Sequence, residues 1–233
     1  MVKNMKIKVG ICIALLFLNV GCAVVKDSTG TQIDETGSTQ SDTEREYVMV
    51  GGRKHYIPKM DYDCLKKIDE SADLYEGSET EGIVKKMMEI TFQKVYFSQE
   101  IEELEKWSDV GLSEIQLDGN VCQNGRIIYM EFTIKNVSDE EVKYYASNVG
   151  LVYMDERENV RQATTDVGYF NYMSEGHDGL LVKIQPGESK EIRIGYFIPE
   201  ETFEKGKLYI DATMQNPSEN EYKVYYSIPD MEK

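Results

Sequence analysis

Between Ile127 and Lys135 the chain alternates without a break. Ile128, Met130, Phe132 and Ile134 are apolar, and Tyr129, Glu131, Thr133 and Lys135 stand between them. A helix turns about 100° per residue and would scatter the four apolar groups, whereas an extended strand puts them all on one face. The stretch is therefore expected to be a strand with one face in a core and the other wet. The pattern recurs in Ile192, Ile194, Tyr196 and Ile198, set against Glu191, Arg193 and Gly195. Just before it, Gln185-Pro186-Gly187-Glu188 suits a type II turn: proline presets φ at the first central position and glycine accepts φ > 0 at the second.

Further strands are expected at Met88–Phe97, Val142–Tyr145, Val149–Met154, Leu180–Ile184, Leu208–Met214 and Tyr222–Ile228. Asn136 to Glu140 has turn composition, so a hairpin is expected to follow the Ile127–Lys135 strand directly. Glu200–Lys205, closed by Gly206, reads as one helical turn, and Glu100–Trp107 as a short helix that packs Trp107 on the sheets. Many short strands with turn signals between them, and no long amphipathic helix, specify an all-β chain folded as an antiparallel β-sandwich. Residues 46–82 form a shorter N-terminal extension: a hairpin turning at Gly51-Gly52, then one or two helical turns within Cys64–Leu74. The sandwich is expected over residues 83–233.

From Ile128 to Ala212 the order is a strand ending EFTIKN, the turn VSDEEV, the strand LVYMDERENV, then LLVKIQPGESKEIRIGYFIPEE and KLYIDA. This resembles the immunoglobulin-like domain of unknown function carried by many lipoproteins of Gram-positive bacteria. The resemblance implies an immunoglobulin-like sandwich and an extracytoplasmic, lipid-anchored setting. It brings no catalytic residues to carry over; Asn136, Pro186, Gly187 and Glu188 match its turns and are structural.

The N-terminus agrees with such a setting. Lys3, Lys6 and Lys8 precede a run from Val9 to Val20 that is apolar apart from Asn19, too short for a comfortable membrane span and suited to a signal peptide over residues 1–21. Leu18-Asn19-Val20-Gly21-Cys22 resembles a bacterial lipobox, with Asn19 in place of the usual leucine. Cys22 is then the expected lipidation site, and two acyl chains would hold the mature protein on the outer face of the cell membrane. Residues 22–45 carry the lipid and a Ser/Thr/Gly/Asp-rich stretch with almost nothing to bury, expected to act as a flexible tether. An extracytoplasmic compartment permits Cys64 and Cys122 to form a disulfide; the alternative, two reduced thiols, stays open because sequence separation does not establish proximity.

The net charge is −16, and it becomes −19 when Lys3, Lys6 and Lys8 leave with the signal. A field of this sign is unsuited to nucleic acid and favours cationic partners. Only two histidines occur, His55 and His177, far apart in sequence, and there is no Gly-x-Ser-x-Gly elbow or phosphate-cradling glycine loop. No catalytic, metal-binding or cofactor-binding residue is assigned. The acid-rich stretches Asp69–Asp73 and Glu76–Glu81 lack EF-hand spacing. Sixteen tyrosines against one tryptophan are the unusual feature. Tyr169, Phe170, Tyr172 and His177, in the long stretch between Ala163 and Gly179, are the candidate contacts to a partner, because tyrosine in loops gives large contact area at small entropic cost. The expected function is a non-enzymatic binding or adaptor module whose partner is a protein or cationic peptide. The alternative is a structural accessory subunit of a cell-envelope or membrane complex.

Overall fold

A computed structural model of the chain describes residues 47–50, 53–78, 83–164, 166–172, 179–214 and 222–229. The expected signal peptide, Cys22, the tether and His177 lie outside the described residues. The chain divides into two units, Met1–Ile57 and Pro58–Lys233. In the first, β1 (Tyr47–Val50) and β2 (Arg53–Tyr56) form an antiparallel hairpin, with Tyr47 opposite Tyr56 and Val50 opposite Arg53. This is the ladder that the double glycine implies.

The second unit begins with a 3-10 turn at Tyr62–Cys64, then β3 (Leu65–Lys66), β4 (Ser71–Ser78) and β5 (Ile83–Ser98). A flap follows, built from a 3-10 turn at Leu104–Lys106, α1 (Asp109–Ser113), β6 (Leu117–Asp118) and β7 (Val121–Cys122). Then come β8 (Gly125–Asn136), β9 (Val142–Tyr145), β10 (Gly150–Met154), β11 (Val160–Thr164) and β12 (Tyr169–Phe170). The chain continues through β13 (Leu181–Ile184), β14 (Ser189–Pro199), α2 (Glu200–Phe203), β15 (Lys207–Asp211) and β16 (Tyr225–Ser227). The front sheet has the order β12-β14-β8-β5-β4 and the back sheet β11-β10-β15-β16-β3, with β9 and β13 paired separately. Every pairing is antiparallel except that of β16 with β3.

The two sheets form a β-sandwich, and the alternation read from the sequence is what closes it. Ile128, Met130, Phe132 and Ile134 of β8 and Ile192, Ile194, Tyr196 and Ile198 of β14 all lie in one buried cluster, with Phe92, Leu151, Ile210 and Tyr226. The Phe92 ring centroid is 5.0 Å from that of Phe132 and 4.7 Å from that of Tyr226, so aromatic contacts bridge the sheets at the centre. The Pro186-Gly187 turn forms as its residues dictate: Gly187 has φ 76° and the Glu188 N–H donates to the Gln185 carbonyl at 2.9 Å.

Three expectations need correction. Beyond Cys64, which ends the 3-10 turn, residues 65–74 are not helical: β3 and β4 begin there and edge the two sheets, so these residues belong to the sandwich and not to an extension. The strand after β8 does not fold back on it. Asn136 is fully buried; its Nδ2 donates to the carbonyls of Glu140 (2.7 Å) and Ile184 (2.9 Å), and its Oδ1 accepts from Ser138 N–H (2.9 Å). That knot turns the chain away from β8, and β9 pairs with β13. The helix expected at Glu100–Trp107 is a 3-10 turn followed by α1, although Trp107 does pack on the sheet. Of the two states left open for Cys64 and Cys122, the structure has both thiols free, with no disulfide between them. Cys64 packs against the cluster of Met60, Val152, Val160, Tyr209 and Tyr225 on the back sheet, and Cys122, in β7 of the flap, lies in a different cluster.

Two core tyrosines make opposite predictions. The Tyr196 hydroxyl donates to the Val149 carbonyl, whereas the buried Tyr144 hydroxyl has no hydrogen-bond partner among the described residues. Removing a bonded hydroxyl strands a buried acceptor, while removing an unpaired one relieves a desolvation cost. Tyr196→Phe is expected to lower unfolding stability by about 1–2 kcal/mol, and Tyr144→Phe to leave it unchanged or raise it by about 1 kcal/mol. Denaturant titration of the two variants beside the wild type checks both.

Candidate recognition surface

The outward residues of the front sheet divide into a covered half and an open half. In the covered half Tyr129 of β8, Tyr169 of β12 and Tyr96 of β5 surround the guanidinium of Arg193, which projects from β14. Its Cζ lies 4.9 Å from the Tyr129 ring centroid, 5.3 Å from Tyr169 and 5.9 Å from Tyr96, within cation–π range of all three. The flap supplies the counter-charges: Arg193 donates to Glu102 and to the Tyr96 hydroxyl, and its Nη1 is 3.5 Å from Glu103. The Tyr169 hydroxyl donates to Glu103, the Glu102 N–H donates to the Tyr129 hydroxyl at 2.8 Å, and Trp107 Nε1 donates to the Glu102 carbonyl at 3.1 Å. The flap is thus fastened by one cation shared between two adjacent glutamates and by hydrogen bonds to Tyr129 and from Trp107 and Tyr169.

Close packing here depends on absent side chains. A Cβ on Gly168 would meet the Trp107 ring at 2.3 Å, and one on Gly195 would stand 3.0 Å from both the Tyr129 ring and Tyr169. Burial pushes the Tyr129 phenol up to about 12 and raises that of Tyr169, which also gives a hydrogen bond to Glu103. Hydrogen bonds from Lys106 and Tyr169 hold the Glu103 carboxyl below its ordinary value. Near neutral pH Tyr129 and Tyr169 keep their protons and Glu103 stays ionised, so these groups act as fasteners.

The open half is a depression of about 470 Å³ lined by Gln93, Glu131, Thr133, Asn171, Glu191 and Arg193. Asn171 closes its end: its Oδ1 accepts from the Arg193 N–H at 3.0 Å, continuing the edge of β14 past the short β12. A second depression, about 310 Å³, lies on the outer face of the back sheet. Asp211 and Tyr225 reach it from adjacent strands, and Pro58, Val152 and Val160 give it apolar walls. The Asp211 carboxylate accepts from the Thr213 N–H at 2.9 Å, and burial raises its pKa. Among the described residues no group of His, Cys, Asp and Glu converges as metal ligands do.

The expected partner contacts do not form one exposed loop. Tyr169 and Phe170 form β12; Tyr169 is buried against Arg193 and Phe170 in the core, because alternation sends one ring to each side of the sheet. Tyr172 is 43 % exposed, with its ring 5.7 Å from that of Phe170. Arg193 and Asp211 were not singled out by sequence. The signal for Arg193 was its outward phase in β14 beside outward tyrosines; for Asp211 it was a lone acid in the apolar run KLYIDA.

Residues 79–228 match the family described as a domain of unknown function, DUF5027. The chain belongs to this family. The DUF5027 match starts after β4, so β3 and β4 are sandwich strands outside it. Among solved structures, the chain is similar to the yjhA protein from Bacillus subtilis, at 12 % identity over 69 % of this chain and 97 % of that one, with TM-score 0.37. It is similar also to an uncharacterized beta-sandwich protein from Clostridium difficile 630, at 18 % identity over 72 % and 97 %, with TM-score 0.32. A functionally unknown protein from Listeria monocytogenes EGD-e gives 13 % identity over 62 % and 72 %, with TM-score 0.35. No curated protein matches the chain.

Two predictions follow from the geometry of this DUF5027 sandwich. Trp107 is the sole tryptophan, so its fluorescence reports the flap. Arg193→Met is expected to shift Trp107 emission to the red and expose residues 99–124 to proteolysis, at a cost of about 2 kcal/mol in local stability. An unchanged emission maximum and cleavage pattern would show that the flap holds without the cation. In the β10–β11 connection, Asp155 accepts from Arg157 N–H (2.9 Å), Asn159 N–H (3.0 Å) and Arg161 Nε (2.8 Å). Burial alone would raise its pKa, but these donors outweigh it and hold the value down to about 2, against an ordinary 3.8. A depressed folded-state pKa contributes stability above the unfolded value that is lost as pH falls through the folded one. The Tm deficit of Asp155→Ala is therefore expected to be full at neutral pH and to shrink between about pH 4 and 2, as acid unfolding curves would show.

Proposed function

We propose that this DUF5027 protein is a lipid-anchored module on the outer face of the cell membrane that works by binding a cationic peptide or protein, without catalysis of its own. The observation that carries the reading is charge: −16 over the whole chain, with Glu131 and Glu191 lining the front depression and Asp211 the back one. Such a field concentrates cations at the surface and speeds their encounter. The anchor rests on Lys3, Lys6, Lys8, the apolar run after them and Cys22. The strongly shifted phenols are buried tyrosines, Tyr129 and Tyr169 among them, which keep their protons near neutral pH. They suit holding a shape better than moving protons.

A second reading, an accessory subunit packed against a larger membrane complex, is favoured by Leu104, Val110 and Leu117, large apolar residues exposed on the flap. Crosslinking in intact cells would recover a fixed membrane partner only in that case.

Mass measurement of the membrane-expressed chain beside Cys22→Ala tests the anchor; a lipid-sized increment present in one and absent from the other is the expected result. Binding is tested with a labelled hexalysine peptide and the full chain in neutral detergent. Affinity is expected to fall at least about tenfold between about 20 and 200 mM NaCl, because exposed charges are screened over that range. Absence of binding at low salt would remove the cationic-partner reading.

A further inference from the structure

The two five-stranded sheets have four ends, and three of them offer little to an incoming strand. β12 meets the flap: Trp107 bridges to Tyr169, and the Ser108 N–H donates to the Gly168 carbonyl at 2.8 Å. β11 meets residues 58–60: Lys59 bridges to Asn159, and the Val160 N–H donates to the Pro58 carbonyl at 2.8 Å. β3 is two residues long. β4, at the fourth end, differs from all of these. It runs for eight residues and pairs with β5 on one side, and among the described residues no backbone group meets it on the other. Such an edge presents N–H and C=O groups to any extended chain, and sheets usually blunt it with lysine, proline or a bulge. β4 has no basic residue and no proline. Its bulge lies between Leu74 and Tyr75, so Ser71–Leu74 stays regular, paired one to one with Thr91–Met88. Ala72 and Leu74 are buried in the core, which holds β4 in place and sends Asp73 to the outer face.

We propose that β4 takes up an extended cationic peptide as an added strand of the front sheet, its backbone paired with Ser71–Leu74 and its basic side chains beside Asp73 and Glu76. This rests on the reading of the protein as a binder of cationic partners and names the surface and the mode of binding. Charge selects the occupant. Residues 68–84 hold six acids, Asp69, Glu70, Asp73, Glu76, Glu79 and Glu81, and no base. The neighbouring strand answers them only in part: Lys86 Nζ lies 2.7 Å from Asp73 and 2.8 Å from Glu89, so one cation serves two carboxylates. A second copy of the chain would set this acidic edge against itself, and like charges facing across a ladder are unfavourable. A strand with a basic residue at every second position would set its charges on the face that carries Asp73. In strand addition the backbone bonds supply much of the affinity and the alternate side chains supply the choice of sequence.

The test uses the full chain in neutral detergent, with the peptide Lys-Val-Lys-Val-Lys-Val as probe. The same peptide with its backbone amides N-methylated keeps the charge and loses the donors. The wild type is expected to bind the first at least about tenfold more tightly than the second. Hydrogen exchange of amides 71–78 is expected to slow about tenfold when the first peptide is bound. Glu76→Lys puts a base on the exposed edge and is expected to weaken binding about tenfold. Glu105→Gln, which removes one exposed charge on the flap, is expected to change it less than about twofold. Equal affinity for the two peptides overturns strand addition and leaves the cationic-partner reading standing. No binding of either peptide at low salt overturns both. Binding at wild-type strength in Glu76→Lys, or slowed exchange at another strand with none at β4, overturns the assignment to this edge. Equal loss in Glu76→Lys and Glu105→Gln would show diffuse attraction to an acidic surface and overturn it as well.

Discussion

The fold turns on the double use of β8. Its inward side chains fill the space between the sheets, and its outward Ile127 and Tyr129 are buried as well, under the flap. A strand buried on both faces over half its length fixes its register strongly, since a shift by one residue would move polar and apolar groups on both sides. The two neighbours of β8 are then committed over long ladders. β14 pairs with it from Ser189 to Pro199, and β5 from Met88 to Ser98 with one bulge near Gln93. Everything that faces outward from these three strands inherits its place from that register.

Arg193 shows what such placement allows. A guanidinium on the outer face of a sheet is ordinarily solvated; here three tyrosine rings remove much of its water and two flap glutamates replace it. A buried cation with good partners contributes little net stability against an apolar substitute, but it restricts which arrangement is compatible with burial. The glutamates can reach it only when the segment Ile101–Lys106 lies across Tyr129 and Tyr169. The ion pair therefore selects the flap's position, and the aromatic area beneath it provides most of the favourable energy.

The sequence made the sandwich legible because its evidence was local: period-two alternation in β8 and β14, and the Pro-Gly turn. What it did not reveal depended on partners distant in the chain. β9 has the length and composition of a hairpin partner for β8, yet the Asn136 knot, which draws on the Ile184 carbonyl 48 residues away, sends it to β13. β3 and β4 lack a clean alternation, since β3 is two residues long and β4 is an edge strand with a bulge. Tyr169 and Phe170 read as a loop because a two-residue strand carries no period. Tyr225 and Tyr226 obey alternation, but both are buried, since Met60 and Leu65 cover the outward ring. For the same reason a tyrosine-rich composition pointed to exposed recognition loops when most of the large rings serve the core.

Asp211 differs from Arg193 in the direction of its imbalance. Both charges sit on outer faces partly shielded from water, and both lie beside tyrosine. Around Arg193 the chain has gathered acids from a second segment, so that the charge is answered within the molecule. Around Asp211 the answer is smaller: hydrogen bonds from Thr213 and the field of Lys223. Elsewhere in this domain local choices agree with the fold, as the Pro-Gly turn and the Ser108 cap on α1 illustrate, the Gly111 N–H donating to the Ser108 hydroxyl at 2.9 Å. A sequence consistent at most positions concentrates its exceptions where something other than folding is served.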